Sequence, residues 1–176
     1  MKTVSKILKA FVITLSLCIT TITNASEEEP PFGIRNHDIG IAHNFTLNDI
    51  DGESFELNKV KGKWVFLHFW ASWCGPCAEE MPTIQKMADI LKDDNFQIVM
   101  INTAEDEDTI FEFLSTINVE LNSLLDPDGQ VTEVWKPRGL PTTFLISPKG
   151  EIKYQAIGGR EWYKTEYINF IKKLIK

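Results

Sequence analysis

Cys74 and Cys77 stand two residues apart in the stretch FWASWCGPCAEEMP, in a chain whose one other cysteine is Cys18. Such a pair can staple a loop, supply half of a metal site, or exchange with other disulfides. Stapling fits poorly, because closing so small a loop removes little chain entropy. A structural zinc would need four closed ligands. The candidates to complete it are His37, His43 and His68, all upstream and without a second cysteine pair. Redox exchange fits best, and it requires a thiolate. The apolar run Lys63–Ala71 gives way to a helical pattern through Trp73–Cys77. Cys74 is therefore expected at a helix N-terminus, where free N–H groups and the helix dipole favour negative charge. Pro76 suits a first turn, since its missing N–H costs little there. Cys74 is predicted to be the exposed nucleophile and Cys77, one turn further on, the shielded resolving thiol. Cys74 would attack a substrate disulfide and Cys77 would release the mixed disulfide.

The elements that must position this pair are legible from periodicity. Lys63–Ala71 reads as a central strand buried on both faces. Met81, Ile84, Met87, Ala88 and Leu91 recur at helical spacing after it. Asn44–Asn58 alternates about Asp51-Gly52, a hairpin signal. Phe96–Asn102 reads as a second buried strand, and Glu105–Asn118 as an amphipathic helix with an acidic first turn. Asp126–Gly129 is a turn, with a short helix over Gln130–Trp135. Thr142–Ser147 and Glu151–Gly158 form a hairpin, and Arg160–Lys176 a terminal amphipathic helix. The order predicts an α/β fold, a mixed central sheet with helices on both faces. Trp70 and Trp73 border the cysteines and read as packing and shielding groups, Trp73 also as a partner contact, and Trp135 and Trp162 as core or surface packing.

Lys2, Lys6 and Lys9 precede the apolar run Ala10–Ile22, and Thr23 and Ala25 suit the −3 and −1 positions of a cut before Ser26. That is the layout of a secretory signal peptide. The run is short and threonine-rich against the roughly 20 apolar residues of a membrane span, so an uncleaved anchor is the alternative. Leu17 precedes Cys18 where a lipoprotein signal wants a small residue, and Cys18 reads as an ordinary member of the apolar run. The chain is divided into a signal over 1–25, a flexible acidic and proline-rich segment over 26–40, and one domain over 41–176. Cleavage removes three lysines and no acid, leaving the protein more acidic than the −7 of the full sequence. No basic stripe is offered to nucleic acid.

Trp73–Cys77 behind Phe69–Ser72 resembles the thioredoxin superfamily, and CGPCAEEMP together with Gly139–Ser147 resembles its exported TlpA/ResA/DsbE-like branch. The resemblance runs from about Ile41 to the C-terminus. It implies a thioredoxin fold with an added N-terminal β-hairpin at Asn44–Asn58 and a helical insertion within Glu105–Trp135. Trp73, Gly75 and Pro76 are then the active-site loop. Pro141 matches the cis-proline that faces the cysteines, and the Leu140 backbone beside it would bind a substrate peptide. Glu80 matches an acid of that branch, which would relay a proton to or from Cys77; the alternative is an exposed helix glutamate beside Glu79. His68 departs from the pattern: thioredoxins place a buried Asp there and this branch often Asn. A histidine at that point is either a tuning group or a neutral core residue with one hydrogen bond.

Gly75-Pro76 is the dipeptide of thioredoxin itself, which implies a reductant. The expected activity is reduction of protein disulfides outside the cytoplasm, for example in cytochrome c maturation. Recharging would come from a membrane thiol-electron donor of the DsbD/CcdA type. Neither a cofactor beyond the Cys74–Cys77 dithiol nor a metal is expected. The partners are substrate proteins with disulfides or thiols, not nucleic acid, and the protein is expected to be a monomer. General thiol-disulfide exchange or oxidation, and a non-catalytic binding module, are the alternatives. A thiol peroxidase on the same fold would need its cysteine in a different motif.

Overall fold

A computed structural model describes residues 29–38, 40–92 and 95–176. The expected signal at 1–25 lies outside the described residues. The elements run β1 (Ile34–Asn36), β2 (Thr46–Asn48), β3 (Ser54–Glu56), a 3-10 turn (Leu57–Val60), β4 (Trp64–Trp70), α1 (Gly75–Leu91), β5 (Phe96–Thr103), α2 (Glu107–Ile117), β6 (Leu124–Asp126), α3 (Gln130–Trp135), β7 (Thr142–Ile146), β8 (Ile152–Ile157) and α4 (Thr165–Leu174). Six strands form a mixed sheet in the order β1-β8-β7-β4-β5-β6, and β2 and β3 form a separate hairpin. β4 pairs parallel with β5 and antiparallel with β7.

β4 has the period of an inner strand. Val65, Leu67 and Phe69 join one apolar cluster, with Phe45 of the hairpin segment, Leu57 of the 3-10 turn and Trp135 of α3. Phe66 and Trp70 join the other, with Met81, Ile84 and Met87 of α1, Ile110 of α2 and Phe170 of α4. Alternate side chains therefore serve opposite faces, as a strand demands. His68 falls on the α1 side of the sheet by the same count.

The structure differs from expectation in three places. Ile34–Asn36, expected within a flexible segment, pairs with β8 from Ala156 to Tyr154. Ile34 is buried against the α1-side core, which holds this edge strand where composition alone signals none. Leu124–Asp126, read as the approach to a turn, adds a parallel edge strand to β5. The last helix starts at Thr165 rather than Arg160, because residues before it are engaged with α1: Trp162 N–H donates to Thr83 Oγ1 at 3.1 Å. Among the described residues no helix is long and apolar enough to cross a membrane.

Trp162 is wholly buried, edge-on to Phe66 at 4.7 Å between ring centroids. Trp162→Ala is expected to cost about 3–5 kcal/mol. Phe111→Ala, at a site 65% exposed, should stay within about 0.5 kcal/mol of the parent. Urea unfolding with the disulfide intact measures both, and equal losses would refute this placement of the core.

Candidate active site

β4 ends at Trp70 and the chain turns through Ala71, Ser72 and Trp73 before α1 begins. Cys74 is the N-cap of α1, in extended backbone conformation, with Pro76 in the first turn. Its Sγ accepts the Cys77 N–H at 3.3 Å and its carbonyl accepts that N–H at 2.9 Å. Cys74 and Cys77 are joined in a disulfide. The first turn of the helix thus directs an N–H, shared with the Cys74 carbonyl, at the sulfur that must carry charge when reduced.

The sequence predicts an exposed Cys74, and the structure corrects this. Cys74 is 5% exposed and Cys77 0%. Bonded to Cys77 and seated in the cluster that holds Trp70 and Ala71, its side chain turns inward. Exposure lies instead on Trp73, at 70%, and on the neighbouring Gly75 and Pro76. Trp70 packs beneath the turn: it is buried and donates its indole N–H to Ser123 Oγ at 3.0 Å.

Leu140–Pro141 is a cis peptide bond. Register places Phe69 opposite Thr142, so Pro141 lies level with the C-terminal end of β4, where the cysteine turn begins. Pro141 is buried and Leu140 half-buried. The Pro141 carbonyl is occupied by the Gly158 N–H at 2.9 Å.

Glu80 is 2% exposed, three residues after Cys77 and hence on the same helix face. Its Oε2 accepts the Arg160 backbone N–H at 2.7 Å. Its Oε1 lies 3.2 Å from His68 Nε2. Burial raises the Glu80 carboxyl to about 8, against 4.5 ordinarily, with the Arg160 N–H, the Trp162 side chain and the Arg160 charge opposing in part. His68 is fully buried, and its Nδ1 lies 2.9 Å from Thr143 Oγ1. Burial first, and then the Arg160 charge, lower its pKa to about 3. At neutral pH both groups are therefore mainly uncharged, an acid and a base held side by side.

Several positioning groups were not legible beforehand. Gly159 approaches α1 so closely that a Cβ there would sit 3.0 Å from the Pro76 carbonyl oxygen and 3.5 Å from Glu80 Oε2. The Gly158-Gly159 pair, which breaks the strand pattern, was the available signal. On the other side of the turn, Glu105 accepts from the Ser72 N–H at 2.7 Å and the Ser72 hydroxyl, and from Asn102 Nδ2 at 2.7 Å. Asn102 is fully buried at the end of β5. A polar residue ending an apolar strand run hints at such a bond, though not at its partner.

A cleft of about 560 Å³ opens beside the site, lined by Pro76, Glu79, Glu80, Arg160, Lys164 and Tyr167 among others. Among the described residues no cluster of three metal-ligating side chains occurs.

Residues 40–155 match the AhpC/TSA family. The thiol-disulfide oxidoreductase ResA of Bacillus subtilis is 37% identical over 132 residues, 74% of this chain and 74% of that protein. A Chlorobium tepidum protein assigned as thiol:disulfide interchange protein DsbE superposes with a TM-score of 0.71 at 31% identity, covering 81% of this chain and 99% of that one. StoA of Bacillus subtilis gives a TM-score of 0.63 at 27% identity, covering 76% and 97%. The fold is that of thioredoxin, with its sheet flanked by helices as the sequence predicts.

The opposite shifts of Glu80 and His68 give stability a definite pH profile. Between about 6.5 and 8 the folded protein keeps the Glu80 proton and the unfolded chain has lost it, so stability falls as pH rises. Between about 4.5 and 6.5 the unfolded chain also holds a proton on His68, and the two slopes cancel. Below about 4.5, down to about 3, the neutral buried His68 makes stability fall with acid. Glu80→Gln should abolish the decline between 6.5 and 8 while keeping the acid limb. Urea unfolding of the disulfide form across this range tests it. A decline that survives in Glu80→Gln would assign the titration to another group.

Proposed function

The chain belongs to the AhpC/TSA family and is a thiol-disulfide oxidoreductase, and from that premise we propose that it works as a reductant of protein disulfides outside the cytoplasm. The observation that carries this reading is the Cys74–Cys77 disulfide at the N-terminus of α1, with the Cys77 N–H directed at Cys74 Sγ.

In the reduced protein the Cys74 thiolate attacks one sulfur of a substrate disulfide. A mixed disulfide forms and the other substrate sulfur leaves as a thiolate, taking up a proton. Cys77 loses its proton and attacks Cys74 Sγ, which closes the intramolecular disulfide and frees the second substrate thiol. Two electrons pass to the substrate, and a donor dithiol of the DsbD/CcdA type returns them. Glu80 exchanges the Cys77 proton. Its value of about 8 is close to that of an ordinary thiol, about 8.5, and a proton carrier works best when so matched. Cys77 and Glu80 share one buried helix face.

Trp73 supplies exposed apolar surface beside the sulfurs, and the backbone at Leu140, next to Pro141, pairs with the substrate chain in the manner of an added strand. The Gly75-Pro76 dipeptide favours reduction. The protein is exported by its N-terminal segment and acts as a monomer. The resemblance to the exported TlpA/ResA/DsbE-like branch favours haem-attachment cysteines of apocytochrome c as the substrate class.

Insulin reduction in the presence of a small dithiol should fall to the uncatalysed rate in Cys74→Ser. Cys77→Ser should retain the attack and accumulate a mixed disulfide, seen as a mass adduct. The reduction potential should lie nearer about −270 mV than about −120 mV, the ends of the scale set by thioredoxin and a strong oxidant. Equal insulin reduction by wild type and Cys74→Ser would sink the oxidoreductase role. A potential at the oxidising end would reverse the direction of transfer only.

A further inference from the structure

The carboxyl of Glu80 and the imidazole of His68 leave two buried atoms with a single option. Neither Glu80 Oε1 nor His68 Nε2 has another hydrogen-bond partner among the described residues, and they lie 3.2 Å apart. A carboxylate oxygen facing an imidazole lone pair makes no bond, so one proton must lie between them. Two arrangements supply it. In the first, Glu80 is protonated and donates to Nε2, while His68 carries its own proton on Nδ1 and donates to Thr143 Oγ1. In the second, Thr143 donates to Nδ1, and Nε2–H donates to an ionised Glu80.

We propose that His68 is a positioning residue for Glu80: fixed by donating Nδ1–H to Thr143, it presents the Nε2 lone pair that accepts the proton of the neutral Glu80 carboxyl. Burial decides between the two arrangements. The first places no net charge in a site where Glu80 is 2% and His68 0% exposed. The second buries a carboxylate against neutral dipoles, and an ion in such surroundings is costly unless paired. The groups facing Glu80 do not supply that pairing. From the loop before α4 comes the Arg160 backbone N–H, while the Arg160 guanidinium is turned to the carbonyls of Ile157 and Gly158 at 3.0 Å each. Trp162 contributes an uncharged indole N–H that works against the upward shift of the carboxyl in part, β4 and β7 contribute His68 and Thr143, and Glu79 on α1 faces solvent.

The consequence is directional. A hydrogen bond to the neutral form of an acid holds its proton on. Thr143, on a strand separate from both partners and 75 residues from His68 in sequence, thereby sets the pH at which Glu80 can take the Cys77 proton. This inference rests on Glu80 as the proton carrier of the proposed reaction, but its test does not use catalysis.

Nitrogen-15 NMR of the His68 ring in the oxidised wild-type protein should show protonated Nδ1 and unprotonated Nε2 at pH 6. Thr143→Val removes the acceptor for Nδ1–H while keeping the shape of the side chain. It should move the ring toward the Nε2–H tautomer and lower the Glu80 titration, followed by carbon-13 NMR of its carboxyl, by about one pH unit, the worth of one hydrogen bond. Thr143→Ser keeps a hydroxyl and should restore the wild-type titration. A wild-type ring protonated at Nε2 overturns the proposal. So does a Glu80 titration that is unchanged or raised in Thr143→Val, since in the second arrangement loss of a donor to Nδ1 cannot favour the carboxylate. A correct tautomer in a protein that fails to reduce insulin would sink the reductase reading and leave this one standing.

Discussion

β4 is buried on both faces, and the site follows from that constraint. A strand alternates its side chains strictly, so once Val65, Leu67 and Phe69 fill one core, Phe66, His68 and Trp70 must fill the other. α1 lies over that second face, with Met81, Ile84 and Met87 in the same cluster as Phe66 and Trp70. The helix face that meets the strand also carries Cys77 and Glu80. A one-residue slip of β4 would send His68 to the opposite core and leave the Glu80 carboxyl against hydrocarbon. Pairing with both β5 and β7 over most of the length of β4 opposes such a slip.

What was legible in the sequence was what depends on neighbours along the chain. The strand before the cysteines, the helix after them, the hairpin about Asp51-Gly52 and the short helix at Gln130–Trp135 all declare themselves in local periodicity or turn chemistry. The edge strands β1 and β6 did not, because each is three residues long and owes its existence to the partner it pairs with. The site divides in the same way. Cys74 at a helix N-terminus follows from the order of elements, but its burial follows from tertiary packing. Whether Glu80 is solvated or buried was undecidable beside exposed Glu79, because the group that engages it, the Arg160 N–H, comes from 80 residues further on. The Ser72–Glu105 contact, 33 residues apart, was hidden for the same reason.

Burial of an acid next to a base invites the reading of an ion pair, and magnitudes argue against it here. Desolvating each ion costs several kcal/mol even after relaxation, and mutual attraction repays this only with excellent geometry and further hydrogen bonds. One backbone N–H at 2.7 Å and the Trp162 indole on Glu80, with one hydroxyl at 2.9 Å on His68, are modest compensation. Both groups respond as desolvation dictates, the acid shifting up and the base down. The neutral pair keeps the hydrogen bond and avoids the charge. Such a site stores a proton, whereas a salt bridge would fix one state.

The two cysteines thus meet different electrostatics within one turn of helix. Cys74 Sγ faces the positive end of α1 and accepts its N–H, which favours thiolate over thiol. Cys77 is wholly buried one turn on, where a charge has no such partner, and its neighbour across the turn is a carboxyl holding a proton. A reactive thiolate with an unassisted buried partner would attack readily but resolve slowly. A buried thiol beside a group that titrates near its own value can lose its proton when it must act. The loop Gly158–Trp162 links the two: Gly159 abuts Pro76 in the first turn, and Arg160 N–H holds Glu80 in the second. Any movement of that loop therefore alters the cap that serves Cys74 and the acid that serves Cys77 together.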